Sequence, residues 1–154
     1  MNLEPINQTN LYGLSSYLDE LIRLFNKKKL PNKILFSGQK GIGKSTLAYH
    51  LINYILSKSE DFAYDLKNYT INKDNKDYKL IQNGSNPNFN LIDILPDKKS
   101  IDIEQIRDLI KNINKSSFNQ KPRFILIDNT ENLNINSVNA LLKNLEEPNN
   151  NIFF

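Results

Sequence analysis

Eight consecutive residues of this sequence have the types and the spacing needed to hold a phosphate chain. The segment Gly38-Gln39-Lys40-Gly41-Ile42-Gly43-Lys44-Ser45 fits the pattern G-x-x-x-x-G-K-[ST] at every fixed position. Glycines let the backbone turn tightly, so that successive N–H groups and the positive end of the following helix face an anion. The pattern therefore predicts a nucleotide-binding P-loop, with Mg²⁺ bound alongside the nucleotide.

The side chains of this loop have distinct expected roles. Lys44 is expected to reach the β- and γ-phosphates, and the Ser45 hydroxyl is expected to bind the Mg²⁺ ion that bridges them. Backbone amides from Lys40 to Thr46 form the cradle. The predicted nucleotide-binding residues are Gly38, Lys40, Gly41, Ile42, Gly43, Lys44, Ser45 and Thr46. The alternative is a glycine turn that joins a strand to a helix and binds nothing.

The flanks of a P-loop must be a strand and a helix, and both patterns are present. Residues 33–37 form a short apolar run between Pro31 and Gly38, which predicts a buried strand. Residues 45–56 repeat apolar side chains at helical spacing, which predicts a helix that begins at the loop. The flanks therefore favour a true P-loop over a simple turn.

A second candidate site lies at the end of residues 123–128, Arg-Phe-Ile-Leu-Ile-Asp. Four apolar residues predict a strand buried on both faces, which delivers Asp128 to the edge where α/β sheets bind ligands. This is the Walker B pattern, in which Asp128 would hold Mg²⁺ through water. The alternative for Asp128 is a cap that follows an ordinary strand.

The rest of the chain predicts the elements that position these two segments. We expect a helix from Leu14 to Phe25 with Ser16 and Asp19 as a capping box, and a hairpin within residues 69–81. Residues 88–95 predict a strand. Later elements are a helix at residues 103–113 capped by Asp102 and Gln105, a helix that starts at Asn134 or Asn136 and ends at Pro148, and a strand that begins at Ile152.

Composition limits the classes of function. The chain has 154 residues, the size of one domain, with 39% hydrophobic and 24% charged residues. It has no cysteine and one histidine, His50, so neither a disulfide nor a thiolate zinc site is possible, and His50 is expected to have no catalytic role. No apolar run reaches the roughly 18 residues of a membrane span, which predicts a cytoplasmic protein. With a net charge of +3, Lys27–Lys29 are expected to form a solvated face.

Three stretches together resemble one family: the P-loop, residues 124–131, and above all Asn-Ala-Leu-Leu-Lys-Asn-Leu-Glu-Glu-Pro at 139–148. They are similar to the N-terminal AAA+ module of bacterial clamp-loader subunits. Within that group the delta-prime subunits of DNA polymerase III resemble the chain best. Asn-Pro-Asn-Phe at 86–89 is similar to their His-Pro-Asp-aromatic segment, and residues 101–107 resemble the stretch that follows it.

This resemblance implies an α/β fold, a P-loop NTPase (AAA+) three-layer sandwich with a mainly parallel sheet. It places the strand from Ile152 between the P-loop strand and the Walker B strand. It also implies that residues 1–154 are a C-terminally truncated AAA+ domain without its lid and collar domains. The implied function is that of a subunit in a hetero-oligomer with gamma/tau and delta subunits. That assembly loads the sliding clamp onto primed DNA, with no membrane partner.

Two departures from the wider family affect the expected chemistry. Asn129 stands where active relatives have the catalytic Glu, so we expect ATP binding with little hydrolysis, and Glu131 is the one rival base. Zinc-binding cysteines are absent, so residues 57–86 must be held by other contacts. The alternative functions are a hydrolysing gamma/tau-like motor and a small-molecule kinase. A kinase needs a basic lid, and none of the arginines (Arg23, Arg107, Arg123) lies in an evident one.

Overall fold

The computed structural model describes residues 4–114, 119–146 and 151–154. The chain folds as two compact units, each described separately below. The first, here called the loop unit, comprises Met1–Pro31 and Leu35–Asn86 and contains the P-loop. The second, here called the sheet unit, comprises Asn32–Ile34 and Pro87–Phe154 and contains Asp128.

The loop unit is helical. Helix α1 spans Ser15–Asn26, α2 spans Lys44–Ser57 and α3 spans Lys76–Gln82, and a short 3₁₀ turn spans Pro5–Asn7. Helix α2 is the central element, because almost every residue from Leu47 to Ser57 is buried. A helix buried on nearly all sides holds its N-terminus in place, and that N-terminus is where the P-loop ends.

The predicted capping box of α1 is wrong. Helix α1 begins at Ser15, and its N-cap is Leu14, which makes no side-chain cap bond. Ser16 therefore lies inside the first turn. The C-terminal end forms a tight turn instead, in which Lys28 has a φ of 55° and Lys29 N donates to Leu24 O at 2.8 Å. This backbone bond satisfies one of the last helical carbonyls.

The predicted hairpin within residues 69–81 is also wrong, because its second arm is helix α3. Asn75 caps this helix by accepting a hydrogen bond from Tyr78 N at 3.0 Å. Tyr78 and Ile81 are buried and lie three residues apart, so both reach the core from one face of a helix. The Asn cap and the helical spacing outweigh the strand propensity of this short run.

Polar side chains, several of them buried, hold residues 57–86 in place. They are the contacts expected to replace the zinc site of related proteins. Tyr64 N donates to Ser57 Oγ at 2.9 Å, and Asn75 Nδ2 donates to Asp61 O at 3.2 Å. Farther on, Asn86 Nδ2 donates to Asp77 Oδ1 at 2.7 Å. The segment therefore packs through hydrogen bonds that reach from helices into irregular backbone.

The sheet unit contains a parallel sheet of three strands in the order β1-β2-β3. Strand β1 spans Phe89–Ile92, β2 spans Arg123–Ile127 and β3 spans Ile152–Phe153. Helix α4, Ile103–Ile113, connects β1 to β2, and α5, Ile135–Glu146, follows β2. Phe89 pairs with Phe124, and Arg123 pairs with Ile152. The predicted α/β class with a parallel sheet is confirmed, with five α-helices in the described parts of the chain.

Strand β3 has a neighbour on its other side. Phe154 N donates to Asn32 O at 2.8 Å and Ile34 N donates to Phe154 O at 2.9 Å, which is the bonding pattern of parallel strands. Strand β3 therefore lies between residues 32–34, which precede the P-loop, and β2, in the order that the resemblance implies. Residues 33–37 are nevertheless not a regular buried strand: these two bonds are their only described ladder, and Leu35 is 78% exposed.

One buried cluster of the sheet unit is aliphatic. Its buried residues come from all three strands, α4, α5 and the loop before α4: Ile92, Ile101, Ile106, Leu109, Ile113, Ile125, Leu141 and Ile152. Each fully buried aliphatic side chain contributes about 1.5–3 kcal/mol. This core fixes the strands whose carboxyl ends carry Asp128.

The predicted caps in the sheet unit are confirmed. Asp102 and Gln105 form the capping box of α4, with both of its hydrogen bonds present. Asn134 Oδ1 accepts from Ser137 N at 2.9 Å, so Asn134, not Asn136, precedes α5. The predicted helix end at Pro148 lies outside the described residues. Within the described ranges no helix has the length and apolar character to cross a membrane.

Candidate nucleotide-binding site

The P-loop ends where α2 begins, at a glycine in the left-handed region. Gly43 is the residue before α2 and has a φ of 95°, and Gly41 has a φ of 84°. Side chains rarely adopt this conformation, so glycine is needed at both positions. A Cβ at Gly41 would stand in open space, which leaves the backbone accessible to a ligand at that point.

Lys44 folds back over the loop that precedes it. Its Nζ donates to Gly38 O and to Gln39 O, both at 2.9 Å. These bonds hold the ammonium group against the backbone of the loop. The positive charge and the loop backbone are therefore brought together, and contact of Lys44 with phosphate stays a prediction.

The first turn of α2 adds a favourable field for an anion. Ser45 and Thr46 lie in this turn and are half-buried. The first N–H groups of an α-helix have no acceptor within the helix, and the helix dipole makes this end positive. The glycine cradle, the Lys44 ammonium and the Ser45 hydroxyl thus fit a nucleotide phosphate chain with its Mg²⁺ ion. Residues Lys40 and Ile42 are exposed in the same loop.

The carboxyl ends of β1 and β2 carry a second group of candidate residues, within the sheet unit. Asp93 follows β1, and Asp128 follows β2 with its N–H donating to Ile92 O at 2.9 Å. The Asp128 carboxylate accepts from Asn129 N at 2.9 Å. Both carboxylates are half-buried at one edge of the parallel sheet. The structure thus delivers Asp128 where the Walker B pattern predicts it.

Asn129 is held in a conformation that few residues adopt. It has a φ of 52° and a ψ of 46°, which asparagine tolerates better than most side chains. Its Nδ2 donates to Asp93 Oδ1 at 2.8 Å. Asp93 is a site residue that the sequence analysis missed, although it shares with Asp128 the signal of a carboxylate directly after a buried strand.

Glu131 lies in a 3₁₀ turn formed by Thr130–Asn132 and is exposed. Glu131 would face the same way as Asn129 only in an extended chain, in which alternate residues share a face. The backbone is not extended here, since Asn129 is left-handed and Glu131 lies in the turn. Of the two hypotheses, a site without a catalytic base is better supported than Glu131 as the base.

The candidate residues fall in both units. Those of the P-loop belong to the loop unit, whereas Asp93, Asp128 and Asn129 belong to the sheet unit. The structure brings together Lys44 with the loop backbone, and Asn129 with Asp93. The assignment of Asp128 to the same Mg²⁺ ion as Ser45 is carried by the sequence pattern.

Comparison with known proteins identifies the family. A family model described as DNA polymerase III, delta subunit, matches residues 13–154. The chain belongs to this family. Together with the delta′ relatives described next, this match confirms the resemblance to delta-prime subunits.

Individual relatives of the DNA polymerase III family agree. The chain is 30% identical over 114 residues to DNA polymerase III subunit delta′ of Pseudomonas aeruginosa, which covers 74% of this chain and 33% of that protein. It is 29% identical over 131 residues to the Bacillus subtilis delta′ subunit, covering 84% and 36%. It is also 29% identical over 143 residues to the gamma/tau subunit of Mycoplasma genitalium, covering 93% and 22%. The chain therefore spans between about a fifth and about a third of these relatives.

All three arginines of this DNA polymerase III family member have local roles. Two pair with a glutamate one turn away on their own helix, and the third donates from a buried position to a backbone carbonyl. The pairs are Arg23 with Glu20, Arg107 with Glu104, and Arg123 with Ile113 O. None of them lies in a loop that closes over phosphates, which disfavours the kinase alternative.

His50 has a structural role in the same helix as Lys44. It is fully buried, and its Nε2 donates to Gln8 O at 3.1 Å while its Nδ1 accepts from Tyr64 OH at 2.7 Å. Burial lowers the pKa of His50 to about 4, against the opposing effect of the Gln8 hydrogen bond. Burial likewise raises the pKa of the Tyr64 hydroxyl. The neutral imidazole therefore anchors α2 and takes no part in the site.

Proposed function

We propose that this chain is the nucleotide-binding module of a delta-prime-like clamp-loader subunit, which binds ATP with Mg²⁺ and hydrolyses it little. The observation that carries the proposal is the position of Lys44. Its ammonium lies 2.9 Å from two carbonyls of the glycine loop, at the N-terminus of a buried helix of 14 residues. A buried helix with this loop at its start favours bound phosphate.

The magnesium ion would be held by Ser45 at the loop and by Asp128 through water. Because Asp128 acts only through the metal, Asp128→Asn is expected to weaken ATP binding about tenfold in Mg²⁺ and to leave it unchanged in EDTA. Titrations in the two buffers measure this difference. Equal losses in both buffers would show that Asp128 supports the fold and not the ion.

Weak hydrolysis follows from the residue at position 129. An amide cannot accept the proton of an attacking water as a carboxylate does, and the Asn129 amide donates to Asp93 in any case. The gamma/tau relative is as similar in sequence as the delta′ relatives, so identity does not separate a motor from a partner subunit. Asn129 is the residue that favours the partner subunit.

The proposed partners follow from the family. Delta-prime subunits work in an assembly with gamma/tau and delta subunits that places the sliding clamp on primed DNA, and we propose the same cytoplasmic complex for this protein. Co-purification of the full chain with gamma/tau and delta subunits tests this part. Failure to join them, with ATP binding intact, would leave a nucleotide-binding protein outside the clamp loader.

Removing the Lys44 ammonium tests ATP binding most simply. Lys44→Ala is expected to lower the affinity for Mg-ATP at least 100-fold in the full chain, measured by calorimetric titration, because the charge sits at the phosphates. Lys58→Ala is the matched control: Lys58 follows the other end of α2 and bonds to Asn26. If both variants bind ATP as the parent does, the loop is a structural turn.

A further inference from the structure

We propose that Asp93 is a positioning residue that orients the amide of Asn129 and disfavours a carboxylate in the same position. The pairing itself is a property of the sheet unit. Its consequence for hydrolysis rests on the proposed function, because it concerns the site at which ATP would react. Asn129 itself lacks a base, and the pairing adds that a carboxylate introduced at position 129 alone is not expected to act as one.

A chain of hydrogen bonds fixes both members of the pair. Asn129 Nδ2 donates to Asp93 Oδ1 at 2.8 Å, and Ile94 N donates to the same oxygen at 2.7 Å. The backbone carbonyl of Asp93 accepts from Gln105 Nε2 at 2.8 Å. Gln105 in turn belongs to the capping box of α4. Asp93 is therefore oriented by the start of a helix, and it orients Asn129.

A second carboxylate at position 129 would face the first at hydrogen-bond distance. Both groups would be acceptors with no hydrogen between them. Because Asp93 is held by the Ile94 N–H, the side chain at 129 is expected to turn away from the place that the Asn129 amide occupies, and there it is not positioned to accept a proton from water. In hydrolysis the water oxygen bonds to the γ-phosphorus while the bond to the β–γ bridging oxygen breaks. The bridging electron pair leaves with ADP, and the water proton passes to an ionised carboxylate.

Exchanging the two groups restores the hydrogen bond with its direction reversed. With asparagine at position 93 and a carboxylate at 129, the amide donates to the carboxylate and holds it in place. Because Oδ1 of Asp93 accepts from both Asn129 Nδ2 and Ile94 N, an amide nitrogen in its place gives up the bond from Ile94 N. Aspartate suits the exchange at position 129, because it tolerates the left-handed conformation almost as well as asparagine does.

Urea unfolding of the full chain at pH 7 tests the pairing without nucleotide. The variants are Asp93→Asn, Asn129→Asp and the double exchange, with Thr130→Asp as the control for added charge at an exposed neighbour. Asn129→Asp is expected to lower the folded-to-unfolded ratio roughly tenfold, and the double exchange to recover part of that loss. Thr130→Asp should change the ratio less than twofold. Additive effects in the double exchange, or an equal loss in Thr130→Asp, would overturn the proposal.

The second readout is turnover. Asn129→Glu alone is expected to hydrolyse ATP at the parent rate, and Asp93→Asn with Asn129→Glu at least tenfold faster. If Asn129→Glu fails to fold, its rescue by Asp93→Asn supports the pairing, and failure of both contradicts it. If no variant binds ATP, the proposed function fails. Urea unfolding of the single and double variants still tests whether Asp93 and Asn129 are paired. If Asn129→Glu alone turns over ATP, the pairing is not what prevents hydrolysis.

Discussion

The polar side chains of the P-loop and of the turn after β2 have different kinds of hydrogen-bond partner. In the loop, the Lys44 ammonium bonds to carbonyl groups of the backbone that surrounds the proposed phosphate site. In the turn, the Asn129 amide bonds to the Asp93 carboxylate, where an active site needs a free carboxylate. Nucleotide binding and hydrolysis would therefore depend on separate local structures. One can persist when the other has been lost.

The largest difference between the two regions is expected in acid. The helix that follows the loop is anchored by His50, whose pKa of about 4 lies below the ordinary value of 6.5. The unfolded chain therefore binds the extra proton between pH 6.5 and 4, and stability present above pH 6.5 is lost as the pH falls to 4. The loss amounts to about 3 kcal/mol.

Urea unfolding followed by probes on α2 and on β2 measures this loss across the pH range. His50→Gln removes the titrating group and should flatten this part of the pH dependence, although it lowers stability at pH 7. If the parent and His50→Gln lose stability in parallel between pH 6.5 and 4, His50 is not the cause of the loss.

The backbone of the loop gives the next largest effect. Gly43→Ala places a Cβ 3.1 Å from Leu14 Cδ1 at a φ of 95°. The strain is expected to cost about 1–3 kcal/mol of stability, and ATP affinity should fall more than tenfold because the cradle is distorted. Titration and urea unfolding measure the two losses.

Gly13→Ala is the control for that variant. Gly13 has a φ of 71° and no atom within 4 Å of the position that a Cβ would occupy, so it shares the backbone strain and lies outside the P-loop. It should lose stability and keep its ATP affinity. Equal affinity losses in both variants would mean that ATP binding reports general stability rather than the shape of the loop.

The smallest effect is expected at Glu131. This side chain is exposed in a 3₁₀ turn, so Glu131→Ala should change stability by less than about 0.5 kcal/mol and leave any residual ATPase rate unchanged. A steady-state assay of the parent and the variant decides it. A rate that disappears in the variant would make Glu131 the base and remove the contrast between the loop and the turn.

Local signals in the sequence predicted the parts of the fold that local interactions decide. The capping box of Asp102 and Gln105 lies within four residues, and so does the cap at Asn134, and both are seen. The buried run 123–127 likewise gave β2. The hairpin failed because a short run of Tyr, Leu and Ile suits a strand or a helix, and the Asn75 cap decided for the helix.

The parts that sequence patterns did not predict depend on contacts between distant residues. Asp93 and Asn129 are 36 residues apart, and only the register of β1 with β2 places their side chains together. The burial of His50 depends on Gln8 and Tyr64, which lie on either side of α2 in the sequence. Lys44 and its loop were predictable because the whole motif is contiguous.

The central claim is that ATP is held and not consumed. The most direct measurement incubates the full chain with labelled ATP and Mg²⁺, separates protein from free nucleotide, and identifies what remains bound. We predict nearly one nucleotide per chain, recovered as ATP, and none with Lys44→Ala. Bound nucleotide recovered as ADP from the parent protein would contradict it.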